Sequence, residues 1–117
     1  MPYSTAAFNA MLDNLGTLVT HVSLHTADPG TAGTSEVTGG TPAYARKTAT
    51  WSAAAAGIKN LSNAPVFDVP TGTTVLYVGY WGALTAGTWY GSSTITAATF
   101  TTQNTYTLDD ANLELVN

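Results

Sequence analysis

Within HVSLHTADPG, residues 21–30, the chain gathers both of its histidines, a serine and an aspartate. Those residue types can bind a metal through imidazole nitrogens, or can activate a serine nucleophile through a histidine held by a carboxylate. Spacing decides against both. On a helix His21 and His25 would share a face, but the segment Leu18–His25 alternates with period two: Leu18, Val22 and Leu24 point one way and Val19, His21, Ser23 and His25 the other. On such a strand four steps of ~3.3 Å separate the two imidazoles by roughly 13 Å, beyond the reach of one ion. Ser23 has no G-x-S-x-G elbow around it. Asp28-Pro29-Gly30 has the composition of a turn, in which aspartate bonds its own following backbone while proline and glycine set the bend. The segment therefore predicts a half-buried strand running into a turn, with hydrogen-bonding histidines, no catalytic residue and no metal ligand.

Other groups with chemical potential fare similarly. Asp109-Asp110, with Asn112 and Glu114 close behind, lacks the glycine and oxygen spacing of a calcium loop and reads as a turn between two strands. GTAGTSEVTGG has glycines but no lysine and no following helix, so it is no phosphate cradle. The aromatic residues Trp51, Trp81, Trp89, Tyr44, Tyr77, Tyr80, Tyr90 and Tyr106 could stack on sugars if their rings lay on one open face. Their alternation within strands assigns most of them to a core or a subunit interface.

The elements that would position these residues follow from the rest of the chain. Only the N-terminus reads as helix: Ser4 can cap it, Phe8, Met11, Leu12 and Leu15 share a face, and Gly16 is expected to stop it. So short a helix must dock on its own domain or on a neighbouring subunit. After Gly16 the period shifts from 3.6 to 2. Residues 26–42, rich in glycine and proline, form a loop longer than compact domains usually carry without a use for it. Strands are expected at Tyr44–Trp51, Ile58–Leu61, Pro65–Val69, Thr73–Gly82, Thr88–Ser92, Thr94–Phe100, Thr105–Leu108 and Asn112–Val116. Pro70-Thr71-Gly72 should turn the chain. Thr73–Gly82 is apolar on both faces and so reads as a central strand. The fold class is mainly β: one antiparallel β-sandwich or jelly-roll-like domain over residues 1–117, with residues 1–16 as a helical docking segment and 17–117 as the sandwich.

Composition narrows function. Charged residues are 9% of the 117 and the net charge is −4; an average chain carries ~25% charged residues. Three cations, Arg46, Lys47 and Lys59, cannot neutralise a run of phosphates, so nucleic acid is not expected as a partner. No stretch approaches the ~18 apolar residues of a membrane span, and MPYSTAAFNAML lacks the basic start and apolar run of a secretory signal, which predicts synthesis in a cytoplasm and no membrane partner. With no cysteine, disulfides and thiolate metal sites are excluded.

HVSLHTADPGTAGTSEVTGGTPAYARKTATW, with SNAPVFDVPTGTTVLYVGYW and the closing TYTLDDANLEL, resembles a family of small structural proteins of tailed bacteriophages. Members are commonly labelled tail-fibre proteins, and some are similar to capsid decoration or head-fibre proteins. The resemblance implies a non-enzymatic virion component without cofactor. Its partners would be other virion proteins such as the major capsid protein, and further copies of itself, with a trimer favoured by analogy. Because neither repeats nor an attachment segment is visible, decoration of the shell is expected ahead of a tail fibre, and a free carbohydrate-binding β-sandwich module is the reading from another class. The expected interface comprises the helix face Phe8, Met11, Leu12 and Leu15 together with Asp28, Pro29, Glu36 and Val37 of the long loop.

Overall fold

The computed structural model describes residues 3–115. Ser4 caps helix α1 (Thr5–Leu18), its hydroxyl accepting the Ala7 N–H at 3.1 Å. The helix buries Leu12 in the core and packs Leu15 against it. Polar groups fasten its other contacts: the Asn9 side-chain oxygen accepts the Gly57 N–H, and the Asp13 carboxylate accepts from the Ala54 N–H and from Lys59 Nζ at 2.7 Å. The bond from Lys59, then that from Ala54, holds the Asp13 carboxyl below the usual carboxylate range. Gly16 does not end the helix. A side chain there would collide with the Lys59 methylenes, so this glycine serves the close approach of Lys59, and the helix runs on to Leu18.

Among the described residues eight strands follow: β1 (His21–His25), β2 (Lys47–Thr48), β3 (Ile58–Asn60), β4 (Val66–Val69), β5 (Thr73–Trp81), β6 (Trp89–Phe100), β7 (Asn104–Thr107) and β8 (Asn112–Glu114). Every pairing is antiparallel. One sheet has the order β2-β1-β5-β6, and β3-β8 and β4-β7 form two-stranded ribbons. The chain is thus a mainly β antiparallel domain with a short N-terminal helix, as its periodicity predicts. Side chains from the sheet (Val22, Leu24, Val75, Val78, Tyr80), the ribbons (Phe67, Val69, Leu113), the segment after β7 (Leu108, Ala111) and α1 (Leu12) meet in one core.

Several elements differ from expectation. Strand β1 is buried on both faces, because the loop after it folds back over the side carrying Ser23 and His25. The expected strand 44–51 shrinks to Lys47–Thr48, with Trp51 joined to Leu61 by a single bridge; Tyr44 and Arg46 are drawn into side-chain bonds with the loop instead. The two strands expected at 88–92 and 94–100 are one continuous β6, which absorbs two register shifts against β5. Strand β8 ends at Glu114, and Val116, placed in it by sequence, lies outside the described residues. Strand β5 is central as expected, flanked by β1 and β6.

Candidate functional site

In the β1–β5 register, Val22 lies opposite Tyr80 and Leu24 opposite Val78 on one face, while Ser23 lies opposite Gly79 and His21 opposite Trp81 on the other. The second face carries the polar chemistry anticipated at residues 21–25. Ser23 Oγ is 2.6 Å from His25 Nε2, and His25 Nδ1 is 2.7 Å from the Thr34 carbonyl. A carbonyl only accepts, so Nδ1 carries the ring proton and Nε2 accepts from the serine hydroxyl. The Ser23 oxygen in turn accepts from Trp81 Nε1 at 2.8 Å. Burial lowers the His25 pKa, against the opposing pull of the Thr34 carbonyl, which keeps the imidazole neutral at pH 7.

A serine hydroxyl bonded to a histidine is half of a hydrolytic triad. Here Ser23 and His25 are both 0% exposed, and the partner of Nδ1 is a backbone carbonyl where a triad has a carboxylate. The Trp89 ring packs edge-on against both His25 and Trp81. Gly33 and Gly79 admit this packing: a Cβ on either would press into Trp89, and Gly33 also has φ +75°. What the arrangement does is bond the loop to the sheet.

A second cluster continues it. Arg46 stacks its guanidinium 3.6 Å over the Trp81 ring. Its Nε and Nη2 donate to the Glu36 carboxylate, and Nη1 donates to the carbonyls of Ala83 and Ala86. Glu36 also accepts from the Tyr44 hydroxyl, which accepts the Leu24 N–H. Burial, with the Glu36 charge beside it, pushes the Tyr44 phenol far above its ordinary value. An open groove of about 400 Å³ runs past this cluster between residues 36–39, 44–46 and 84–86, with Leu84 53% exposed at its rim. In the sequence Tyr44 stands out only as one of the aromatic residues and Arg46 only as one of the cations, neither marked as a partner of Glu36. The available signal was the rarity of charge, which makes Glu36 and Arg46, ten residues apart, natural partners.

The eight residues expected at an interface scatter. Leu12, Pro29 and Val37 are buried inside the chain and offer no surface to another molecule. Phe8 and Leu15 are half-buried on the inner side of α1, Phe8 meeting Tyr3 edge-on. Glu36 is engaged by Arg46 and Tyr44. Asp28 is exposed and closes its own turn, its carboxylate accepting the Gly30 N–H at 2.9 Å. Met11 faces solvent at 42% exposure. Of the aromatic set, Trp51 and Tyr80 meet in the interior, and Tyr44 stacks on Phe67. Among the described residues no three histidine, aspartate or glutamate side chains converge as a metal site would require.

Comparison with known proteins is concentrated in one result. A family model described as podophage GP4 fiber I protein gp80 matches residues 3–115. No curated protein and no solved structure matches the chain. The match runs from the cap of α1 through β8 and takes in the loop, its Glu36–Arg46 anchor and both ribbons, so the chain belongs to the podophage GP4 fiber I protein gp80 family, a family of structural proteins of the phage particle.

Proposed function

We propose that this virion structural protein decorates the phage head, docking on the assembled shell as a preformed body without catalytic activity. The observation that carries this is the closure of the core within one chain. Helix, sheet and ribbons share one set of fully buried side chains, and among the described residues no buried side-chain polar atom lacks a hydrogen-bond partner. A shaft of interwound chains would instead draw its core from several copies. A surface poor in charge suits docking, since few ions must lose water when it is covered.

The family's description as a fibre, and a long axis of 46 Å against 25 and 24 Å, favour a second reading, a fibre on the tail. A sugar-binding module has less behind it: of the tyrosine and tryptophan rings only Tyr3 and Tyr90 are well exposed, at 51% and 37%. Copy number separates the head and tail readings. A repeated shell offers the same patch hundreds of times, so a head protein should approach the abundance of the major capsid protein in purified virions. Recovery only with separated tails, at a few copies each, would overturn the head reading in favour of the fibre.

A further inference from the structure

Residues 27–34 form a flap over the polar face of β1. Pro29 is the only one of them that is buried, Gly33 is half-buried and the rest are exposed. The base of the flap is pinned by backbone bonds, from the Thr26 N–H to the Ser35 carbonyl and from the Val37 N–H to the Leu24 carbonyl, and by the Arg46–Glu36 pair. Most bonds of the flap are its own: Gly33 and Thr34 donate to the Pro29 carbonyl, and Gly30 donates to Asp28. It reaches the sheet through a single hydrogen bond, from His25 Nδ1 to the Thr34 carbonyl. Under it lie two indoles, since a Cβ on Gly33 would press into both Trp81 and Trp89. A segment with so few buried side chains belongs to the low-stability end of a structure, free to open while the core holds.

The bonds beneath the flap run one way. Trp81 Nε1 donates to Ser23 Oγ, and the Ser23 hydroxyl donates to His25 Nε2. A proton on Nε2 turns that nitrogen into a donor. It then meets the Ser23 hydrogen across 2.6 Å, and among the described residues this hydroxyl has no other acceptor to turn to. Water cannot take that role in the closed state, because even a methyl group on Gly79 would press into Ser23, His25 and Trp89. The charged ring and the stranded hydroxyl are satisfied only when water enters, and the flap is the cover with least to lose.

The groups around His25 leave it as the one that responds to acid. Burial lowers its pKa, the Thr34 carbonyl and Glu36 oppose this, and Arg46, bonded to Glu36, adds to the lowering. Asp28 lies in the flap and closes its own turn. His21 shares the face of β1 but is four residues away and bonds Thr20. Strands β5 and β6 carry no acid or base apart from Tyr77, Tyr80 and Tyr90, and these, like Tyr44 at the base of the loop, are phenols, uncharged in acid.

We propose that residues 27–34 are an acid-opened flap: protonation of His25 lifts them from the sheet and exposes Trp81 and Trp89, while the core on the other face of β1 stays folded. The open state takes up a proton at the ordinary value of 6.5 and the closed state only at lower pH, so opening gains as the pH falls below 6.5, by at most about tenfold per pH unit.

Deuterium exchange of the Trp81 indole N–H, followed by NMR on the purified full chain, tests this, because that proton is sealed under the flap. Its protection, corrected for the intrinsic pH dependence of exchange, should fall by up to about tenfold per pH unit below 6.5. The fall should be indifferent to sub-denaturing urea, which speeds only exchange that requires extensive unfolding, whereas the amides of β5 should stay more protected and respond to urea. His25→Gln should abolish the pH dependence and His21→Gln should leave it intact. Protection unchanged between about pH 7 and 5 would overturn the proposal, as would a fall that urea accelerates in step with the β5 amides, which would make it an opening of the whole domain. A fall that persists in His25→Gln, or disappears in His21→Gln, would overturn it too.

Discussion

Ser23 and Leu24 are neighbours on β1, both sealed from solvent, and held by opposite means. Leu24 enters an apolar core with Val22, Val78 and Tyr80, where packing density alone sets the energy. Ser23 enters a chain of directed bonds from Trp81 through itself and His25 to the Thr34 carbonyl, under a loop that Arg46 clamps to the sheet. The apolar face tolerates any neighbour of suitable shape, whereas the polar face requires every donor and acceptor to find its partner. One sheet thus carries a core that confers stability on one side and, on the other, a lock that fixes where a long loop lies.

Substitutions should separate the two sides. Leu24→Ala removes a fully buried side chain and should cost about 2–5 kcal/mol of unfolding free energy, measured by urea denaturation. A loss below 1 kcal/mol would mean that this face is loosely packed. Ser23→Ala strands two buried groups, the Trp81 N–H and His25 Nε2, and should cost about 1–3 kcal/mol. Its signature should be local, with faster exchange and proteolysis in residues 26–46. If the loss spreads evenly through the molecule, the lock is not separable from the core.

The smallest effect should come from pH. The His25 pKa is lowered in the folded state from an ordinary 6.5, so between the two values the unfolded chain binds the extra proton. Stability should therefore hold above pH 6.5 and fall as the pH drops below it, until the folded-state pKa is passed. Replacing His25 with glutamine should flatten that part of the profile, and an unchanged slope between pH 6.5 and 5 would show that His25 does not carry it.

These contrasts mark what the sequence makes legible. Local patterns specify local elements: the Ser4 cap, the Asp28 turn, β5 as a strand apolar on both sides, and the helix face of Phe8, Met11, Leu12 and Leu15, from which Met11 alone departs to face solvent. Within β1 the alternation separates the two faces, with His21, Ser23 and His25 together on one of them; Leu18 and Val19, expected in the same strand, fall outside it, Leu18 ending α1 and Val19, expected on the histidine side, entering the apolar core. The alternation leaves the burial of the histidine face unspecified, because the cover arrives from residues 26–46, whose own composition is that of a solvated loop. Gly16 shows the same limit: its reason for being glycine is Lys59, which no window around Gly16 contains. Nothing in the alternation marks the Ser23–His25 bond, because side chains two apart on a strand need not touch, and the Thr34 carbonyl that orients the imidazole lies in the covering loop.

The pairing of β3 with β8 also dictates an order of events during synthesis. Ile58 lies opposite Glu114, and α1 rests on the β3 side of that ribbon through Asp13, Asn9 and Lys59. The helix leaves the ribosome ahead of the sheet, yet β8, the strand that completes its support, is made after the seven other strands described. At ~5–20 residues per second the early chain waits several seconds with Met11, Leu12 and Leu15 uncovered. Closure is then a late step, gated by translation, and pairings so distant along the chain place spontaneous refolding in the millisecond-to-second range.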